Sequence, residues 1–164
     1  MLRWSAPFLS FTAEEAWKVF MPAKATSIFV ETYSDTSGWN DGALLAKWSR
    51  IREVRDVVNK EIEAVRSGGS VGSSLQANLV IGVNALDHTL LASLGDDLKF
   101  VTITSSATLI ESAELTVSVA PSTAIKCERC WHYRADVGVD PAHPTICGRC
   151  TSNLFGDGEI RTVA

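Results

Sequence analysis

An α+β chain built in several parts is what these 164 residues predict. Three observations carry that expectation. Residues 43–66 hold apolar side chains at spacings of three and four, the pattern of a long amphipathic helix. Residues 76–120 interleave short β-rich runs with one helix-like segment, which suits a small α/β unit. Near the C-terminus the only four cysteines stand as two Cys-x-x-Cys pairs, Cys127 with Cys130 and Cys147 with Cys150, sixteen residues apart. The expected parts are a helical-bundle remnant over 1–42, the long helix with a small α/β junction unit over 43–120, and a four-cysteine zinc ribbon over 121–164.

Residues 2–9 read as the tail of a helix begun further upstream. Thr12 with Glu15 three residues on has the form of a capping box, so a helix is expected from there to about Phe20. Pro22 ends it, because proline has no amide proton and its ring obstructs the preceding turn. Ala16, Val19 and Phe20 share the apolar face, with Trp17 nearby, and these few residues need partner helices to cover them. Residues 27–40 read as loop, with Ile28, Phe29 and Val30 as a short extended run. Leu44, Trp48, Ile51, Val54, Val58, Ile62 and Val65 form the stripe of the long helix. Its other face carries Lys47, Arg50, Arg52, Arg55, Lys60 and Arg66 among acids, as a solvated face with pairs such as Asp56–Lys60 or as a surface for RNA phosphates.

The glycine-rich stretch 67–74 lacks the Gly-Lys-Ser/Thr ending of a nucleotide loop and reads as a turn after a helix. Ala77–Val83 is a strand-length apolar run. Residues 86–94 fit a short helix with Asn84 as cap and Gly95 as stop. Residues 99–104 and 114–119 alternate in the manner of strands, giving a helix-backed sheet of about three strands. His88 reads as a surface or partly buried residue of the short helix.

The cysteine spacing falls within the range of a four-cysteine zinc site. Zinc takes four tetrahedral ligands in structural sites, and two residues between paired cysteines let a tight turn aim both sulfurs at one ion. Two disulfides or four free thiols would not require matched pairs. Four thiolates close the coordination sphere, so one structural Zn2+ is expected and His132 and His143 are not needed as ligands. A segment of this size has little core of its own and needs the metal to fold.

Hydrophobic residues make up 46% of the chain, enough for packed cores. No apolar run approaches the ~20 residues that span a bilayer, and no secretory leader is evident, so a soluble, cytoplasmic protein without membrane contact is expected. The net charge of −4 argues against indiscriminate nucleic-acid binding. Its distribution is uneven: residues 47–67 carry six basic and four acidic side chains, residues 68–120 one and five, and residues 121–164 five of each.

At Lys126 to Trp131, Ile146 to Cys150, and Asn153 with Gly156-Asp157-Gly158-Glu159, the sequence closely resembles the C-terminal end of bacterial isoleucyl-tRNA synthetases. Upstream, Arg3 to Pro7 with Leu9 to Glu15 and Trp17 resemble the end of that family's helical anticodon-binding domain. Arg52 to Lys60, Val71 to Ala77 and Leu94 to Val101 continue the match, which covers essentially the whole chain. The resemblance implies the region that holds the anticodon arm of tRNA(Ile). In the family, isoleucine is activated with ATP in a separate catalytic domain. His-Ile-Gly-His and Lys-Met-Ser-Lys-Ser are absent here, so no catalytic residue is carried over and these residues alone are expected not to catalyse.

The resemblance also implies roles. Cys127, Cys130, Cys147 and Cys150 are the zinc ligands. Trp131 either stacks on anticodon bases or packs with Tyr133 on the ribbon as its small core. Arg129 and Arg149 meet RNA phosphates or donate to thiolates and carbonyls around the metal. Arg52, Arg55 and Lys60 are the RNA-facing candidates on the long helix, and Arg161 reads as an exposed tail charge. A monomer that binds tRNA and not DNA is expected. Two other readings fit the zinc pattern: the finger of a formamidopyrimidine-type DNA glycosylase, and a zinc-ribbon interaction protein without nucleic acid. The first uses an N-terminal proline nucleophile, and the chain starts Met1-Leu2-Arg3.

Overall fold

The computed structural model describes residues 1–160. The chain forms two compact units, residues 1–42 and the residues from Ala43 on. In the first, α1 (Leu2–Ser5) and α2 (Ser10–Phe20) are followed by 3₁₀ turns at Ile28–Val30 and Ser37–Trp39. Ala6, Ala13, Trp17 and Ile28 are its buried residues, with Leu2 and Met21 packed beside them. The Trp17 indole N–H donates to the Thr26 carbonyl at 3.2 Å.

Three local expectations are corrected here. The capping box does not form: α2 starts at Ser10, its cap is Leu9, and no side chain bonds the cap. Glu14 instead accepts from the Ile28 amide (2.9 Å) and the Ser27 hydroxyl (2.8 Å). Residues 28–30 accordingly curl into a 3₁₀ turn capped by Ser27, where an extended run was expected. Val19 and Phe20 face solvent, whereas Ala13 and Trp17, one turn apart, are the buried pair of α2.

α3 (Gly42–Ser67) is the long helix of the second unit. It buries Ile51, Val54, Val58 and Ile62 at the predicted spacing, with Trp48 partly covered and Leu44 about half exposed. The polar face shows Arg50–Glu53 and Arg66–Glu63 pairs, three residues apart. β1 (Ala77–Val83) is the central strand of a three-stranded sheet, parallel to β2 (Ser106–Glu111) and antiparallel to β3 (Thr116–Pro121). A parallel pair needs a crossover, supplied by α4 (Ala85–Ala92) and α5 (Leu98–Thr102). Leu79, Ile81 and Val83 of β1 share one core with the α3 stripe and with Leu91, Leu94 and Leu98. Gly82 leaves no room for a side chain, since a Cβ there would lie 2.3 Å from the Thr116 hydroxyl.

α4 starts as expected: the Asn84 side chain accepts from the Leu86 and Asp87 amides, both at 3.0 Å. Asp87 then receives Arg50 of α3 on both carboxylate oxygens, at 2.9 and 2.7 Å, tying the two helices. The expected strand over 99–104 is not one. Residues 98–102 form α5, and Ile103 stops it in the left-handed region at φ +56°. Leu98, Lys99 and Thr102 are buried, a helical spacing that the alternation of β-branched residues concealed.

β4 (Ile125–Lys126) and β5 (Tyr133–Arg134) form a short hairpin around the first cysteine pair, and α6 (Gly148–Phe155) carries the second. Arg161 lies outside the described residues. No helix among the described residues is long and apolar enough to cross a membrane.

Candidate metal centre

The first knuckle is a tight hairpin turn. The Cys127 amide donates to the His132 carbonyl (2.9 Å) and the Trp131 amide to the Cys127 carbonyl (2.9 Å). To close this turn Trp131 takes φ +65°, a conformation that costs a residue with a side chain about 1–2 kcal/mol. The second knuckle opens α6: Cys147 caps the helix and Cys150 lies within its first turn. Gly148 is the first residue of that helix, and its amide donates to Asp136 at 3.2 Å. Val137 bridges to Cys147 and brings the two knuckles face to face. Gly138 allows it: φ is +79° and a Cβ would meet the Pro144 carbonyl oxygen at 2.8 Å.

All four Sγ atoms lie within 4.8 Å of one another. Cys127 to Cys150 and Cys130 to Cys147 are each 3.8 Å. Disulfides are excluded at that distance, since bonded sulfurs sit about 2.0 Å apart. Four sulfurs around one zinc at about 2.3 Å are separated by about 3.8 Å along each tetrahedral edge. Two edges of the cluster match that spacing and all four sulfurs lie within 4.8 Å, so the residues fit one structural ion. Cys127, Cys147 and Cys150 are fully buried.

The electrostatics agree. Burial raises the Cys130 and Cys147 thiols, which disfavours a cage of bare thiolates. Burial also opposes ionisation of Cys127, but the amides of Cys130, Cys147 and Arg129 outweigh it and lower its pKa. The Cys147 amide reaches Cys127 Sγ at 3.3 Å. A divalent cation held by the four sulfurs would favour the thiolate form that burial alone opposes at Cys130 and Cys147.

The other expected site residues separate. Arg129 places Nη1 3.6 Å from Cys150 Sγ and so touches the ligand shell. Arg149, its counterpart in sequence, donates twice to Glu159, both at 2.6 Å, and lies over the Phe100 ring at 4.8 Å. Trp131 is 59% exposed, so its ring is not the core of the ribbon. Its indole N–H donates to the Glu128 carbonyl (3.1 Å), and Lys126 Nζ sits 5.4 Å from the ring. On α3, Arg52 bonds the Ser49 hydroxyl at 3.0 Å, Lys60 is exposed, and Arg55 is half-buried with no partner for its Nε among the described residues.

Neither histidine joins the sulfurs. His132 faces the Cys130 carbonyl through Nδ1 (3.2 Å), and burial lowers its pKa, helped by the charges of Arg149, Lys99 and Arg134. His143 stacks on Phe155 at 3.9 Å. Sequence reasoning missed Asp136, which binds Arg134 and the start of α6, and Phe100, which sits against His132 and Arg149. Phe100 carries no local sequence signal because His132 and Arg149 lie on other elements; the Arg134–Asp136 pair is local, but the Asp136 contact with the Gly148 amide is set by the fold.

Two family models match the chain: "Anticodon-binding domain of tRNA ligase" over residues 1–81, and "Zinc finger found in FPG and IleRS" over residues 124–153. The isoleucine–tRNA ligase of Ralstonia pickettii is 55% identical over 170 residues, covering 100% of this chain and 18% of that protein. That of Cupriavidus necator is 56% identical over 171 residues with the same coverages, and that of Burkholderia multivorans 55% over 168. The chain therefore spans 18% of the length of these curated relatives. The finger model alone is shared between two protein types, but the whole-chain identity and the anticodon-binding match do not favour the glycosylase reading. Matched along its full length, the chain belongs to the isoleucine–tRNA ligase family and corresponds to its C-terminal region.

Proposed function

We propose that this chain is the tRNA-recognition region of an isoleucine–tRNA ligase, a cytoplasmic protein that charges tRNA(Ile) with isoleucine using ATP in a part distinct from these residues. On this reading residues 1–42 end a helical anticodon-binding domain, residues 43–120 are the junction, and residues 121–164 form the zinc module. The chain contacts the anticodon arm as a monomer and prefers RNA to DNA. Zinc supplies no reaction step; it cross-links the two knuckles.

The observation that carries the reading is Trp131. Its ring stands in solvent from a backbone turn that the Cys127 amide and carbonyl close, with a lysine beside it. An exposed aromatic next to positive charge suits an unstacked base and its phosphate. Arg129 and Lys126 supply charge next to it, and Arg52, Arg55 and Lys60 offer a second phosphate-facing surface on α3. Arg149 would have to exchange the Glu159 carboxylate for a phosphate to contribute.

A gel-shift titration at low salt tests this. The anticodon stem-loop of tRNA(Ile) should bind more tightly than an unrelated RNA hairpin or a DNA hairpin of the same sequence. Equal affinity for all three, or none for any, overturns the specific reading. Trp131→Ala should weaken the RNA complex by about ten-fold or more while leaving zinc content at one per chain, since base–aromatic stacking contributes roughly 1–3 kcal/mol.

A further inference from the structure

Zinc ties the two knuckles to each other, but it does not tie them to the rest of the chain. Only Ser122, Thr123 and Ala124 separate the end of β3 from the start of β4. The Ser122 amide anchors to the Gln76 carbonyl (2.7 Å), which leaves a short pivot. Whether Trp131 has a fixed direction depends on what else crosses from the sheet to the module.

Among the described residues, Ser105 and Phe100 both reach the module. Ser105 lies in the turn between α5 and β2 and is 8% exposed. Its amide donates to the Ala77 carbonyl of β1 at 3.0 Å. Its hydroxyl donates to the Leu75 carbonyl at 2.5 Å and accepts the Tyr133 amide of β5 at 2.6 Å. One hydroxyl thus joins the turn leading into the central strand to the hairpin that holds the first knuckle. Phe100 of α5 is the second. The His132 ring meets it edge-on, with centroids 5.3 Å apart and planes at 76°. The Arg149 guanidinium covers it at 4.8 Å. His132 follows the first knuckle directly and Arg149 lies inside the second, so one ring touches both.

We infer that Phe100 and Ser105 are positioning residues that clamp the metal-bound knuckles onto the three-stranded sheet: zinc folds the module, and these two side chains set the direction in which Trp131 points. Trp131 sits between Cys130, which the metal holds, and His132 and Tyr133, which the clamp holds. The clamp is independent of the ligand that Trp131 meets. Its consequence for RNA rests on the tRNA-binding reading above.

The test compares the full chain with Phe100→Ala, Ser105→Ala and the double variant, with Phe100→Tyr and Ser105→Thr as conservative controls. Three quantities are read: zinc per chain and its release to a chelator, hydrogen exchange of the amides over residues 125–134, and affinity for the anticodon stem-loop. Expected in the double variant are one zinc with release unchanged within about two-fold, and Tyr133 exchange faster by about ten-fold or more. RNA affinity should fall about ten-fold, with Trp131→Ala costing much less in that background than in the parent, because coupled residues are not additive. The conservative controls should behave as the parent. Zinc lost together with protection would make the two residues part of the module's core and overturn the clamp, as would unchanged exchange. Faster exchange with full RNA affinity would overturn their positioning role. If the parent chain itself binds no RNA, the tRNA reading fails, while zinc retention and exchange still decide the clamp.

Discussion

Trp131 combines an unfavourable backbone with an exposed ring, and that pairing separates two costs that a single substitution would merge. At φ +65° a glycine is comfortable and an alanine is not. Trp131→Gly and Trp131→Ala both delete the ring, so both should lose the same RNA affinity. In thermal unfolding of the zinc-loaded protein, the glycine variant should be the more stable by about 1 kcal/mol. Equal stability would mean that the turn is not strained. Arg129 makes a different point. A zinc with four thiolates carries net negative charge, and the Arg129 guanidinium beside Cys150 offsets part of it. Arg129→Ala should speed zinc release to a chelator, by up to about ten-fold, since groups that hydrogen-bond metal ligands commonly affect affinity on that scale. An unchanged release rate would leave Arg129 free for RNA alone.

α5 shows why a local pattern can mislead. Residues 99–104 alternate and are rich in β-branched side chains, yet Leu98 and Thr102 meet the core one helical turn apart, and the Thr102 hydroxyl closes on the Leu98 carbonyl at 3.0 Å. Tertiary burial overrides strand propensity there. The left-handed Ile103 then redirects the chain into β2. Ile103 is 46% exposed, so in Ile103→Gly the relief of about 1–2 kcal/mol of left-handed strain is offset by the lost burial of the covered half, and denaturant unfolding should find stability within about 1 kcal/mol of the parent. The stripe of α3, the run of β1, the Asn84 cap and the paired cysteines were legible in the sequence because each depends on neighbours a few residues away. The Arg149–Glu159 pair, the Ser105–Tyr133 bond and the Arg50–Asp87 tie were not, because their partners are set by topology. The last of these has a pH signature. Arg50 lowers the Asp87 pKa in the fold. A carboxylate depressed in the folded state contributes stability above its unfolded pKa, near 3.9, and loses it as pH falls through the lower folded value. Asp87→Asn should therefore destabilise by about 1–2 kcal/mol at neutral pH, discounted for the exposure of Arg50. The difference from the parent should shrink steadily below about pH 4. A gap that persists undiminished at pH 2 would assign the effect to packing.

The two cores of the second unit differ in what supports them. The sheet core buries ten apolar residues from α3, β1, α4 and the segment through Leu98. The module's core buries four, and three of those are the cysteines Cys127, Cys147 and Cys150. Without the metal to join the four sulfurs, Val137 alone cannot hold the hairpin against α6. Removing zinc should therefore unfold one region and spare the other. In the zinc-loaded protein, elemental analysis should find one zinc per chain, and amides over 125–155 should be protected. After chelation at neutral pH, those amides should exchange as in an unfolded chain, consistent with the roughly 10–16 kcal/mol that structural zinc supplies to small fingers. Protection over β1 and the buried turns of α3 should remain, because no metal contributes to that core. Returning zinc should restore the protection over 125–155. Loss of protection throughout the unit would show that sheet and module fold as one and that the metal supports both. A module that stays protected without zinc would show that its hydrogen bonds suffice and would remove the structural role assigned to the four cysteines.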